Sequence, residues 1–435
     1  MKNIPITPFS RRQFLKAGAA ASLLPMLGAV PSVFAAGSDR IRIGLVGCGG
    51  RGLGAVRNCL AADPSVQLVA LGDAFADRID AALDEFTKGA PNANPPRPPL
   101  PADQFAVTRE CCFTGFDNYK QVINSGIDLV LLVAPPHFRP LHLQAAITAG
   151  VHVFAEKPVA VDAVGARLVM SLAEIAAQKK LAFVAGTQRR HSVDYLETMR
   201  RIQDGAIGEL TGGQCYWIQG ALWHRGRQPE WSDMEYQMRN WLYFTWLSGD
   251  HIVEQHLHNI DIMNWAFGGP PVKALGMGGR QTRTEPIYGN VWDNFSVEYE
   301  YANGARVQSM CRQIPGSASH RVAERLVGTK GSANPAGTIT GEKPWKFEGA
   351  KPNPYDQEHV DLIRSIRAGQ PLNEGRRIAE TTLTAILGRV SAYTGREVSY
   401  AWLHESSKLD LTPAAYAWGA APAVEIAVPG MTPLI

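Results

Sequence analysis

Cysteine is scarce in this chain: six residues (Cys48, Cys59, Cys111, Cys112, Cys215 and Cys311) among 435. That is too few for a disulfide framework, and no C-x-x-C pair occurs. There is no Lys/Arg stripe interleaved with aromatics, which leaves nucleic-acid binding without support. No internal repeat is found. With 45% hydrophobic and 19% charged residues, the chain is neither intrinsically disordered nor collagen-like, and it is long enough to bury a large core. At ~150 residues per domain, two or three domains are expected.

The formal charge of +3 hints at an anionic partner until its location is considered. Residues 1–35 hold Lys2, Arg11, Arg12 and Lys16 and no acid, so without them 39 Lys+Arg face 40 Asp+Glu, a net of −1. This segment reads as a signal peptide, with a basic start, an apolar stretch from Ala17 to Phe34 and small residues for cleavage near Ala35. Pro25, Pro31 and its weak Ala/Gly hydrophobicity argue against a permanent membrane span. Ser10-Arg11-Arg12-Gln13-Phe14-Leu15-Lys16 resembles the twin-arginine export consensus. The expected destination is the periplasm, reached already folded by that export machinery. The thiols would then first meet a reducing cytosol, so mostly buried free cysteines are expected, with a Cys111–Cys112 pair left open.

From Ile41 onward, short aliphatic runs alternate with amphipathic segments. Ile41–Val46, Val66–Leu71, Asp128–Ala134, Val151–Ala155 and Leu181–Ala185 have strand length, with helical stretches such as Leu141–Ala149 and Val164–Ala177 between them. This rhythm predicts a doubly wound parallel sheet over 36–190, in an α/β fold. Six prolines between 91 and 101 forbid helix and central strand there, and imply a surface excursion. After about 190 the texture becomes α+β. A helix at Tyr195–Asp204 precedes strand-like runs at Gly213–Gly220, Val272–Gly279, Asn294–Tyr301 and Ala305–Ile314, with a hairpin signal at Asn303-Gly304. A long helix is expected over about His251–Phe267, and two more near Glu358–Ala368 and Ala379–Tyr393. Residues 191–435 are therefore read as a second domain with an open, mostly antiparallel sheet that binds substrate and, having one exposed face, supports a homo-oligomer.

Gly47-Cys48-Gly49-Gly50-Arg51-Gly52 follows the first strand and opens a helix. Glycine is needed where the chain turns tightly, where backbone approaches a pyrophosphate and where helix meets strand, and the helix N-terminus offers free N–H groups to the anion. The second strand ends in Gly72-Asp73, 21 residues beyond Gly52. An acid there accepts hydrogen bonds from ribose hydroxyls and repels a 2′-phosphate, favouring NAD over NADP. Gly47, Gly49, Gly50, Arg51, Gly52 and Asp73 are thus the expected cofactor residues of a Rossmann domain.

The fifth strand runs into Ala155-Glu156-Lys157-Pro158. With the glycine turn, Asp73 and the Ala149-Gly150-Val151-His152-Val153 lead-in, the chain resembles the Gfo/Idh/MocA oxidoreductases, the family of glucose–fructose oxidoreductase and inositol dehydrogenase. The resemblance implies that Lys157 lies beside the nicotinamide and the reacting carbinol, where a lysine can exchange protons with an alcohol. Pro135, His137 and Glu156 are expected at the cofactor too. It also implies an Asp-x-x-x-His pattern on the later helix. Here Glu254 and His258 occupy those positions, with Asp261 following, and i,i+4 residues share a helical face. His258 becomes the candidate acid/base and Glu254 its support, although Glu where Asp is usual shifts the carboxylate by about one bond length. A divalent metal on His251, Glu254 and His258 is a competing reading, because i, i+3 and i+7 share one face; the family usually works without metal. Arg189, Arg190, Arg239, Trp241 and Tyr243 are positional candidates for the substrate.

These residues predict hydride transfer between a sugar-like carbinol and a nicotinamide cofactor. Export implies that the cofactor is tightly bound and regenerated within the enzyme's own cycle. Alternatives are an NAD-dependent glycoside hydrolase that oxidises, eliminates and reduces, or a non-catalytic periplasmic sugar-binding protein.

Overall fold

The computed structural model describes residues 39–316 and 318–435, so the leader assigned to residues 1–35 lies outside the described residues. Residues 41–185 form six parallel strands: β1 (Ile41–Val46), β2 (Val66–Asp73), β3 (Cys112–Thr114), β4 (Leu129–Leu132), β5 (His152–Ala155) and β6 (Phe183–Ala185). Their order is β3-β2-β1-β4-β5-β6. Strand order therefore reverses beside β1, and the crevice outside the carboxyl ends of β1 and β4 is where such a sheet accepts a ligand. Strands β1, β4 and β5 are buried almost throughout. Helices covering both faces explain why these strands read as continuous aliphatic runs with little alternation. Helices α1 (Gly50–Ala62), α2 (Ala76–Lys88), α3 (Asn118–Ile123), α4 (Arg139–Ala149) and α5 (Ala163–Gln178) provide that cover. Strand β3 had no strong signal in the sequence; it is a three-residue edge strand after the proline-rich excursion, which is irregular and largely exposed.

Helix α6 (Val193–Gln203) leads into a nine-stranded sheet ordered β14-β13-β12-β11-β7-β10-β9-β8-β15. Its centre comprises β7 (Leu210–Gln219), β8 (Lys273–Gly279), β9 (Asn294–Glu300), β10 (Arg306–Gln313) and β11 (Arg321–Gly328). The smaller strands are β12 (Gly331–Asn334), β13 (Thr338–Gly341), β14 (Trp345–Lys346) and β15 (Val398–Ser399). All pairings are antiparallel except β7 with β10. Phe295, Val297 and Tyr299 alternate inward along β9, the pattern of a sheet with one covered face. Gly304, at φ +79°, closes the β9–β10 hairpin at the expected Asn303-Gly304 turn.

The sequence predicts one helix over about His251–Phe267, but the chain forms two: α9 (His251–Glu254) and α10 (Leu257–Phe267), preceded by α7 (Asp233–Arg239) and α8 (Thr245–Ser248). The break falls where the His256 N–H bonds five residues back to the His251 carbonyl (3.1 Å), a π-type step. His256 there turns into the sheet and bonds the Ser309 hydroxyl at 2.7 Å. Two further helices, α11 (Pro354–Arg367) and α12 (Gly375–Thr394), lie near the positions expected. Leu362, Ile363 and Ile366 of α11 join the core beneath the first sheet, so this late helix covers the nucleotide-type domain. After α13 (Tyr400–Glu405), residues 406–435 run without helix or strand across both domains. They hydrogen-bond Asp162 through the Leu411 N–H and the Met234 N–H through the Gly419 carbonyl. All six cysteines are free, four of them buried. No helix among the described residues is long and apolar enough to cross a membrane.

Candidate active site

The turn after β1 is built by glycines of two kinds. Gly47 has φ +102°, and a Cβ there would strike the backbone of Val133 and Ala134; a Cβ on Gly52 would run into the Gly47 carbonyl. Those two allow the strand, turn and helix to close on each other. Gly49 and Gly50 face open space, leaving room for an anion against the first N–H groups of α1. Asp73 accepts from the N–H of Cys48 (2.7 Å) and of Phe75 (3.0 Å), so it latches the turn to the end of β2. Burial raises its carboxyl above the ordinary range despite those bonds.

Gly47, Gly49, Gly50, Arg51, Gly52, Asp73 and Pro135 line one cleft of about 460 Å³. Its opposite wall comes from the second domain: Trp223, Arg225, Met238, Arg239 and Trp241. Its size, glycine floor and helix N-terminus fit part of a dinucleotide. Arg239 spans the domains, bonding Asp77 bidentately (2.9 and 3.1 Å) while Glu235 accepts from its Nε at 2.8 Å. Tyr243 is buried and does not line the cleft; its hydroxyl donates to the carbonyls of Leu222 (3.1 Å) and Trp223 (3.0 Å). His137 is also turned away. Its Nε2 pairs with the Tyr416 hydroxyl at 2.9 Å, and burial pushes its pKa down to about 4.

Lys157, Glu254 and His258 come together beside this cleft without lining it. The connection is Glu156, whose carboxylate meets Arg51 Nε at 2.5 Å, while Arg51 also reaches Glu358 at 3.2 Å. Burial alone would raise the Glu156 carboxyl, but Arg51, Lys157 and Arg139 hold it below its usual value. Lys157 Nζ donates to the Glu254 carbonyl (2.8 Å) and to its carboxylate (3.3 Å), and both side chains are about nine-tenths buried. An ammonium has three donors, so one remains free.

The helix break sets this geometry. Glu254 ends α9 and turns to the lysine, whereas His258 begins α10 and stacks on Trp217 of β7, ring centroids 5.7 Å apart. No protein group among the described residues hydrogen-bonds the His258 ring, which keeps both nitrogens available. Burial first, then the charges of Lys157 and Arg189, hold its pKa well below the ordinary histidine value. At neutral pH it is an uncharged imidazole able to accept a proton. Asp250, which starts α9, sits at φ +71°, locked by Tyr393 (2.5 Å), the Trp292 N–H (2.8 Å) and the Ser248 hydroxyl (3.0 Å). A strained non-glycine backbone held this firmly beside a candidate catalytic segment is a fixed support for it.

The remaining candidates separate. Arg189 pairs with Glu324 and lies over Trp217 at 5.7 Å, within the electrostatic reach of His258. Arg190 instead pairs with buried Asp261 (2.7 Å), which also binds Arg377 and Thr381 at 3.0 Å each. Asp261 is thus committed to a structural ion cluster. His251 is buried, its Nε2 3.4 Å from the Trp217 carbonyl, and among the described residues no group of three His, Cys, Asp or Glu is arranged to hold a metal. The trio expected on one face loses that geometry at the helix break. Trp217, Trp223, Arg78 and Arg225 were not singled out from the sequence. Trp217 lies on a strand recognised only as alternating, and the others gain meaning only when the two domains meet.

Comparisons agree with this construction. Residues 41–186 match the model "Oxidoreductase family, NAD-binding Rossmann fold", and residues 195–334 match "GFO/IDH/MocA C-terminal domain". Residues 8–28 match the twin-arginine translocation signal. An inositol 2-dehydrogenase of Salmonella paratyphi B is 25% identical over 52% of this chain and 54% of its own length. A glycosyl hydrolase family 109 protein of Streptomyces coelicolor is 27% identical over 45% of this chain and 37% of its own. The chain thus spans roughly a third to a half of the curated relatives it matches. In fold it is similar to scyllo-inositol dehydrogenase of Lactobacillus casei, solved with bound NAD(H) and scyllo-inositol. The TM-score is 0.61 at 20% identity, over 83% of this chain and 99% of that one. With both domains matched in order around the glycine turn and Lys157, the chain belongs to the GFO/IDH/MocA family of oxidoreductases.

Proposed function

We propose that this protein is an exported oxidoreductase that oxidises a carbinol of a sugar or cyclic polyol, using tightly held NAD rather than NADP. The observation that carries the reading is the buried pairing of Lys157 with Glu254 beside a neutral, unpartnered His258. Bound through the Gly47–Gly52 turn and Asp73, a nicotinamide dinucleotide would supply the hydride acceptor. The remaining N–H of Lys157 orients the substrate hydroxyl by donating to its oxygen. His258 accepts the hydroxyl proton at a ring nitrogen, and Lys157 assists by stabilising the developing alkoxide. Glu254 holds Lys157 in place through its carbonyl and carboxylate oxygens. Trp217, stacked on His258, offers an aromatic face beside the proposed sugar site.

The match to the twin-arginine signal supports export, and we place the working enzyme in the periplasm. Free dinucleotide is not supplied there, so retention of the cofactor follows from the location. The family 109 relative favours a second reading, in which oxidation of a glycoside acidifies the neighbouring C–H, the aglycone is eliminated, water adds to the resulting unsaturated ketone, and the carbonyl is reduced again. Mass spectrometry of nucleotide released from the purified exported protein, followed by nicotinamide absorbance against sugars, inositols and glycosides, tests both. Absence of any nucleotide contradicts the bound-cofactor reading. Release of sugar from glycosides with no net redox change selects the hydrolase, and binding without turnover selects a sugar-binding protein.

A further inference from the structure

Four arginines line the cleft that holds the glycine turn, and two are ion-paired, Arg51 with Glu156 and Glu358 among them. Arg239 is neutralised by Asp77 and Glu235. Arg78, in the first turn of α2, and Arg225, in the segment between β7 and α7, form no ion pair, and neither guanidinium donates a hydrogen bond among the described residues. They are close enough for each other's charge to matter. Burial, then the positive charges of Arg78 and Arg239, weaken the hold of Arg225 on its proton. Asp77, already bound to Arg239, offsets part of this charge, but like charges facing each other across a cleft with no paired carboxylate of their own still favour an anion received between them.

Arg225 is also deliberately placed. Asn240, fully buried, accepts from the Arg225 N–H (2.8 Å) and donates to its carbonyl (3.1 Å). Tyr243 fixes the neighbouring Trp223 carbonyl, and the Arg225 guanidinium lies 5.7 Å over the Trp223 ring. This anchoring explains why Tyr243 is buried yet belongs to the site: it positions the wall. The facing floor is the open surface of Gly49 and Gly50, and the acid that lines the cleft, Asp73, already accepts from two backbone N–H groups.

We propose that Arg78 and Arg225, one from each domain, form a clamp for a phosphate group of the dinucleotide, so that bound cofactor ties the domains together across the cleft. This rests on the cofactor reading above. The phosphate meant is the pyrophosphate, which both dinucleotides carry, because Asp73 at the end of β2 disfavours a ribose 2′-phosphate.

The mature chain, stripped of nucleotide and confirmed folded by circular dichroism, is titrated calorimetrically with NAD+ and NADP+ at several salt concentrations, alongside Arg78→Ala and Arg225→Ala. Loss of one charge-assisted contact should weaken binding roughly 10- to 100-fold and flatten the salt dependence. Equal weakening for both dinucleotides supports the clamp on the pyrophosphate, and weakening of NADP+ alone overturns it. Without nucleotide, neither variant should melt earlier than the wild type, because each removes a repelling cation; a merely structural arginine would lower the melting temperature. Variants that bind both dinucleotides within twofold of the wild type overturn the clamp. A wild type that binds neither dinucleotide brings down the cofactor reading itself.

Discussion

His191 offers a stability test at the junction between the domains. It follows β6, and its Nδ1 lies 2.7 Å from Asp361 of α11, with Nε2 3.7 Å from Glu374 just before α12. Burial alone would depress the ring, but Asp361 and Glu374, with Glu358 beyond, raise its pKa from 6.5 to about 9. Glu374 in turn is held down to about 2, with Arg377 at 2.7 Å and the His191 charge beside it. A folded-state pKa above the unfolded value means the folded protein binds the extra proton. The stabilisation is therefore complete below pH 6.5 and is lost as pH rises through about 9. The rise corresponds to about 3 kcal/mol, shared between the histidine and its carboxylates. Chemical denaturation of the wild type and His191→Asn from pH 6 to pH 10 measures it. The stability gap should be about 3 kcal/mol at pH 6 and shrink towards a small residue by pH 10. A gap that stays constant or widens with pH would refute the imidazolium and leave His191 a packing residue.

Other consequences are more local. Gly52→Ala pushes a methyl into the Gly47 carbonyl, so it should cost about 1–3 kcal/mol and abolish dinucleotide retention. Gly49→Ala should melt normally yet bind nucleotide more weakly, because its Cβ enters only open space; calorimetry and melting curves separate the two. Asp261→Asn leaves the buried Arg190 with no paired carboxylate, while Arg377 keeps Glu374, and should cost about 3–5 kcal/mol in urea unfolding.

Much of this was legible in the residues, for identifiable reasons. The run Ile41–Val46 and the glycines after it combine a strand period with turn chemistry that few other structures need, so β1 and the turn follow directly. The Lys157–Glu254–His258 grouping came from a resemblance, since nothing local tells a lysine before Pro158 that a carboxylate 97 residues later will meet it. The helix break at Gln255-His256 was not visible. Periodicity there is helical throughout, and the interruption arises from His256 finding Ser309 on another strand. His137 and Arg190 were placed by position alone, and long-range partners decided them: Tyr416 in the final segment and buried Asp261. Arg78 and Arg225 show the same limit, because an arginine without a partner can be recognised only once every neighbour is known.

The proton-handling role of the Lys157 site is tested most directly by mixing nucleotide-loaded wild type and Lys157→Met with a reactive sugar or inositol and following reduction of the bound nicotinamide. Methionine keeps most of the buried stem of lysine, one atom shorter, but offers no N–H to the substrate oxygen. The variant should retain its nucleotide and fold while its single-turnover rate falls roughly 10²- to 10⁴-fold. A Lys157→Met protein that reduces its nicotinamide at the wild-type rate would contradict the assignment of the site.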